Sequence, residues 1–250
     1  MEKEELNNSN VVRNISTDQS EILKWIIDLH NDGQPFECDI TASELKFYGD
    51  RPGCKYAIPV PKILMDVYPQ VEGCIKITPF EKLPLEDNSV SSIVVDLPFV
   101  CSPKTCKSVV EKKEGANLIS NRFSSWYPMQ EGYENIYWWI KECARVVKPN
   151  GLIVWKMQSS VSGGLQHLLS EFSALCAADC GLYIQDQFLL QAKARLISAS
   201  KIKKQSHARK YTSTFWVFRK DDKKDAKVNL LKKLQECKDN VYEGKVWPLK

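Results

Sequence analysis

Ile93-Val94-Val95-Asp96-Leu97-Pro98-Phe99 is the stretch on which the reading of this chain turns. A short β-branched run closed by an acid reads as a buried strand of a parallel sheet, with its chemistry at the carboxyl end. Pro98 has no N–H and a fixed φ, so it ends the strand and stiffens the turn. Asp96 can accept a hydrogen bond from an amino group, and Phe99 can offer a ring face to a planar group. Taken alone, the same four residues also describe a plain strand end with a buried Phe. The surrounding sequence decides between the two.

Upstream, Asp18 is placed to cap a helix over residues 19–31, where Ile22, Leu23, Ile26, Ile27 and Leu29 recur at helical spacing before Asp32-Gly33 stops it. Short strands are expected at 36–40, 63–66 and 74–77, and a polar turn over 83–89 feeds the strand at 92–95. Downstream comes a long loop reaching Tyr127-Pro128, of a length that is usually functional or disordered. A helix over 133–147 follows, and Lys148-Pro149-Asn150-Gly151 turns the chain into a strand at 152–157. Ser162-Gly163-Gly164 is read as opening a helix over 165–180. Two last strands, 188–194 and 212–219, have no helix between them, which predicts an antiparallel hairpin at one edge of an otherwise parallel sheet. The expected organisation is a polar flexible segment 1–18, one α/β domain over 19–219 and a charged tail 220–250.

A chain of 250 residues with 43% hydrophobic content can bury a full core. No apolar stretch approaches the ~18 residues of a membrane span. The acidic, polar start of the chain is not a secretory signal. A net charge of +4 permits a nucleic-acid partner without demanding one. The nine cysteines are odd in number and scattered, and the Cys101/Cys106 pair has no second Cys/His pair nearby to complete a zinc site. Reduced cysteines, no metal and an intracellular location, cytoplasmic or nuclear, are therefore expected.

Several segments together resemble the class I S-adenosylmethionine-dependent methyltransferases. Glu81-Lys82-Leu83-Pro84-Leu85-Glu86-Asp87-Asn88-Ser89 leads into the strand, and Ala144-Arg145-Val146-Val147-Lys148-Pro149-Asn150-Gly151-Leu152 resembles that family's helix, K-P-x-G and fifth strand. Asp96-Leu97-Pro98-Phe99 then falls on the (D/N)-P-P-(F/Y/W) position of the amino-methylases. Cys38-Asp39-Ile40-Thr41 with Phe47-Tyr48-Gly49 downstream, Asn121-Arg122-Phe123, Trp155-Lys156-Met157-Gln158 and His207-Ala208-Arg209-Lys210-Tyr211 resemble small phage-type and bacterial DNA methylase-like proteins. The chain departs from the pattern twice. Leu97 stands for the first proline, although it still supplies a carbonyl, and the stretch after the first strand, Asp39-Ile40-Thr41-Ala42-Ser43-Glu44, has no glycine.

The resemblance implies a Rossmann-like methyltransferase sheet with helices on both faces, S-adenosyl-L-methionine as cofactor, and methyl transfer to an exocyclic amine of a nucleic-acid base. DNA adenine-N6 or cytosine-N4 is the first expectation. RNA guanine-N2 or adenine-N6 is an alternative, as is a silent methylase-like subunit that binds nucleic acid or supports a protein partner. Asp96, Leu97, Pro98 and Phe99 would hold the base. Asp39, Asp66 and Asp87 are the candidates for the cofactor. Arg122, Lys204, His207, Arg209 and Lys210 are candidates for phosphate contact, with a solvated loop as the plain alternative.

Overall fold

The computed structural model describes residues 11–101, 126, 128–193, 206–220 and 229–242. In chain order the elements are β1 (Ile15–Ser16), α1 (Gln19–His30), β2 (Cys38–Asp39), β3 (Ile63–Asp66), β4 (Ile75–Lys76), β5 (Val90–Asp96), α2 (Met129–Val146), β6 (Val147–Met157), β7 (Ser160–Ser162), β8 (Leu165–His167), α3 (Leu169–Asp179), β9 (Tyr183–Gln191), β10 (Thr212–Arg219) and α4 (Leu230–Tyr242). Eight strands form one sheet in the order β1-β9-β10-β6-β5-β2-β3-β4. All run the same way except β10, which is antiparallel to both of its neighbours, β6 and β9. The chain works outward from β2 to β4, then returns to β5 and works outward the other way. The order therefore reverses between β2 and β5, the switch point of a doubly wound, Rossmann-like sheet.

Each strand residue packs on the face opposite to its neighbour's, so the sheet has two cores. Ile93, Val95, Ile153 and Trp155 meet Ile136, Trp139, Ile140 and Cys143 of α2 and Cys176 and Ala177 of α3 on one face. Val94, Leu152, Val154, Phe215 and Val217 meet Ile22, Leu23, Ile26 and Ile27 of α1 on the other. The only polar atom of the buried Trp155 ring is satisfied, because its Nε1 donates to Ser173 Oγ at 3.0 Å. Asp18 caps α1 as its sequence predicts, accepting the Ser20 N–H at 2.8 Å.

Two expectations are corrected, and a third is borne out. Ile15–Ser16 lies inside the segment expected to be flexible, yet it pairs in parallel with β9 and covers the edge of the last strand pair. That pair is the antiparallel edge hairpin the sequence predicts, with its reversed member β10 between β6 and β9. Gly163-Gly164 does not open a helix. Both glycines take positive φ (58° and 75°) and turn the β7–β8 hairpin, so α3 begins only at Leu169. Residues 1–10 and most of the long loop, 102–125, lie outside the described residues.

Candidate active site at the carboxyl ends of the strands

Three neighbouring parallel strands, β5, β2 and β3, each end in an aspartate: Asp96, Asp39 and Asp66. Asp39 is level with Val94 and Leu64, so Asp96 and Asp66 stand two residues beyond it and on the same face of the sheet. The sequence thus brings three carboxylates to the switch point, where open α/β sheets bind ligands.

Their surroundings set them apart. Asp39 is 2% exposed. Its Oδ1 accepts the backbone N–H of Thr41 at 2.7 Å and the Thr41 hydroxyl at 3.0 Å, and its Oδ2 accepts the Tyr48 hydroxyl at 2.7 Å. Burial pushes this carboxyl up to about 7, against the hydrogen bonds from Tyr48 and Thr41 and helped by the charge of Asp96. Asp39 is therefore spent inside the fold, pinning residues 40–48 over the strand ends. That loop does without glycine: Ser43 and Leu45 themselves adopt φ of 48° and 57°. Asp66 is half-buried and accepts the N–H of Ser43 at 2.9 Å on one oxygen and that of Tyr68 at 2.7 Å on the other. Burial raises its carboxyl above the ordinary value, and the two amide bonds oppose the rise.

Asp96 has a partner to which sequence reading gave no role. Lys156 Nζ donates to Asp96 Oδ2 at 3.0 Å, with side-chain exposures of 12% and 26%. The two residues are register partners across β5 and β6, and Phe215 of β10 is the register partner of Lys156 on its other side. The ammonium lies 4.8 Å from the Phe47 ring centroid and 5.8 Å from that of Phe215. The Asp96 N–H donates to Thr41 Oγ1 at 2.8 Å, so the hydroxyl that serves Asp39 also fixes the end of β5. Asp96 Oδ1 is enclosed and has no hydrogen-bond partner among the described residues. An enclosed unpaired acceptor costs about 1–3 kcal/mol and calls for an explanation.

Beyond Asp96, Leu97 is buried, while Phe99 is half-buried against the core on the α2 side. The carboxylate and the ring therefore flank the end of β5 from opposite faces of the sheet. Trp126 N–H donates to the Val100 carbonyl at 3.0 Å, tying the far end of the long loop back to this turn. Because β10 runs backwards, its start and the preceding basic residues stand at the same edge as Asp96. Gln158 Nε2 donates to the Thr212 carbonyl at 2.7 Å and reaches that of Lys210 at 3.5 Å. Arg209 is exposed there, with His207 and Lys210 half-buried beside it.

Asp87 does not join this group. It precedes β5 and so lies at the opposite end of a seven-residue strand, ~20 Å away at ~3.3 Å per residue. There Arg145 donates to it at 2.8 Å, and that bond holds its carboxyl below the ordinary value. Arg145 also donates to the carbonyls of Leu83 and Leu85, making Asp87 part of a knot that closes the turn before β5. Arg122 and Lys204 lie outside the described residues. Thr41, Phe47, Tyr48 and Lys156 stand in segments that carry the resemblance, but sequence reasoning gave them no role in the site. For Lys156 a signal existed, since a lysine inside the apolar run Leu152–Met157 needs a partner.

No family model matches the chain, and no curated protein matches it. Among solved structures it is similar to the PvuII DNA methyltransferase (cytosine-N4-specific), at 19% identity over 54% of this chain and 44% of that one, with a TM-score of 0.34. It is also similar to a Thermus thermophilus protein assigned as a DNA modification methylase and complexed with S-adenosyl-L-methionine (13% identity, 55% and 50% covered, TM-score 0.36). A third is a SAM-dependent methyltransferase from Methanosarcina mazei (11% identity, 85% and 96% covered, TM-score 0.35). The chain spans about half the length of the first two of these proteins.

Proposed function

We propose that this protein transfers a methyl group from S-adenosyl-L-methionine to an exocyclic amine of a nucleic-acid base, with DNA adenine-N6 or cytosine-N4 as the first candidates. The observation that carries the reading is the enclosed Oδ1 of Asp96, unpaired among the described residues, at the switch point and on a turn that continues Leu97-Pro98-Phe99. An acceptor without a donor is complementary to an N–H, and a half-buried ring three residues on is complementary to the face of the base that carries it.

The cofactor supplies an electrophilic methyl group. Asp66 fits the diol of its ribose. A carboxylate has about four acceptor positions, and two backbone amides use only one on each oxygen. Asp39 is not available for that purpose. On the substrate side, Asp96 accepts one N–H of the amine and the Leu97 carbonyl the other, which fixes the direction of the nitrogen lone pair. Phe99 stacks on the base, worth about 1–3 kcal/mol and so comparable with the cost of unstacking it. As the nitrogen gains positive character its N–H bond to Asp96 Oδ1 strengthens, and Asp96 is placed to take the proton the nitrogen sheds. Arg209, Lys210 and His207 line the same edge, where a phosphate backbone would run.

The glycine-free loop sealed onto Asp39 favours one second reading, a methylase-like subunit that binds nucleic acid without catalysis. Titrating the protein with S-adenosyl-L-methionine by calorimetry, then assaying labelled methyl transfer to DNA and to RNA, separates the two. Cofactor binding with transfer to either polymer supports the enzyme. No cofactor binding by the folded protein sinks it and leaves the subunit.

A further inference from the structure

Of the two carboxylate oxygens of Asp96, Oδ2 is bound by Lys156 and Oδ1 has no partner among the described residues. The Lys156 ammonium is held in three ways at once: by Asp96 Oδ2 at 3.0 Å, by the Phe47 ring and by the Phe215 ring. Phe215, Lys156 and Asp96 stand in register on three adjacent strands, so the pair is built into the sheet and not carried on a loop. Both side chains are mostly buried, where a charge needs a partner.

We infer that Lys156 is the positioning residue that makes Asp96 an acceptor for a neutral amine: it occupies Oδ2, leaves Oδ1 alone facing the substrate, and cancels the charge of the carboxylate. The inference rests on the amine-methylation reading and deepens it by naming what the site selects. A lone buried carboxylate would attract a cationic ammonium or take up a proton and become a donor. A carboxylate paired with the Lys156 ammonium offers Oδ1 as an acceptor while the ammonium offsets its charge. That is complementary to the uncharged amine of adenine, cytosine or guanine. It repels a base with a carbonyl oxygen at the same place, because two acceptors then face each other.

The test compares binding of single-stranded thymidine oligonucleotides carrying one central adenine or cytosine with those carrying hypoxanthine or uracil, whose carbonyl replaces the amine. The full chain is used, and folding of each variant is followed by thermal melting. Wild type should bind the amine-bearing oligonucleotides about tenfold or more tightly than their carbonyl counterparts. K156R should keep that ratio. K156M keeps the apolar stem between the two rings but loses the charge, and should bring the ratio to within about twofold. K156Q is the second neutral variant should K156M not fold. A folded neutral variant that keeps the wild-type ratio overturns the role of Lys156 and leaves the amine reading intact. Equal binding of both classes by wild type overturns that reading and the inference with it.

Discussion

Asp96 and Asp39 show how two residues of one type, two positions apart in register, are given different work. Asp96 keeps one oxygen unpaired, so Asp96→Ala should lower methyl transfer by at least ~100-fold, as removal of a transition-state interaction does. Asp66 and the loop over β3 are untouched by that change. Affinity for S-adenosyl-L-methionine, read by calorimetry, should stay within about threefold. Asp39 gives a stability prediction instead. Its carboxyl titrates at about 7 in the fold against an ordinary 3.8, because burial disfavours its charge. A raised value means that its contribution is fully present below about pH 3.8 and is lost as the pH rises through about 7. Asp39→Asn cannot titrate. The stability of wild type relative to that variant, from urea unfolding, should therefore fall by ~4 kcal/mol between pH 4 and pH 7 and then level off. An unchanged difference across that window would contradict the assignment. Asp66 and Asp96 were legible because each follows an apolar run, and Asp39 because it falls in the short strand expected at 36–40. Which one the fold consumes was not legible, since that depends on Tyr48 folding back over β2 and on Lys156, sixty positions from Asp96.

Elements with a strong period were legible; elements set by a single close approach were not. Thr212–Arg219 and Ile63–Asp66 coincide with the expected strands, because a short apolar run marks each. The β7–β8 hairpin was read as the start of a helix because Leu165, His167 and Leu168 run on into the apolar pattern of α3. Two adjacent glycines at positive φ override that pattern. The entry to β6 is another such place. Gly151 has an ordinary φ, yet a Cβ there would stand 2.7 Å from the Ser91 carbonyl oxygen, 2.7 Å from Val147 Cγ2 and 2.9 Å from the Lys148 carbonyl oxygen. Two of those atoms are backbone and cannot turn aside. Gly151→Ala should therefore destabilise the protein by about 1–3 kcal/mol, seen as a lower urea midpoint with an unchanged slope. This is the junction where β5 and β6 take up their register, and that register sets Lys156 opposite Asp96. The variant should lose transfer activity at temperatures where wild type keeps it.

At the scale of the whole molecule, the reversed strand decides which surface meets a polymer. Seven strands run one way and β10 runs back between two of them. The residues before β10 are thereby delivered to the edge that already carries Asp96, Asp66 and Phe99. Had β10 run parallel, His207, Arg209 and Lys210 would stand at the far end with Asp87. The hairpin was legible from the missing helix between the last two strands. The two-residue β1 at the outer edge was not, because so short a strand has no period to read. With a net charge of only +4, attraction to nucleic acid has to come from local placement and not from the field of the whole chain. Salt dependence measures that placement directly. Removing one cation from a phosphate should reduce the slope of log K against log salt by roughly 0.7–0.9, so Arg209→Ala with Lys210→Ala should reduce it by roughly twice that. The weakening should be equal for amine-bearing and carbonyl-bearing oligonucleotides, since phosphate contacts carry no base information. Neutralising Lys232 and Lys233 on α4, outside that edge, is the control and should leave the slope unchanged. If the α4 change lowers the slope as much as the Arg209 and Lys210 change does, the polymer follows another surface.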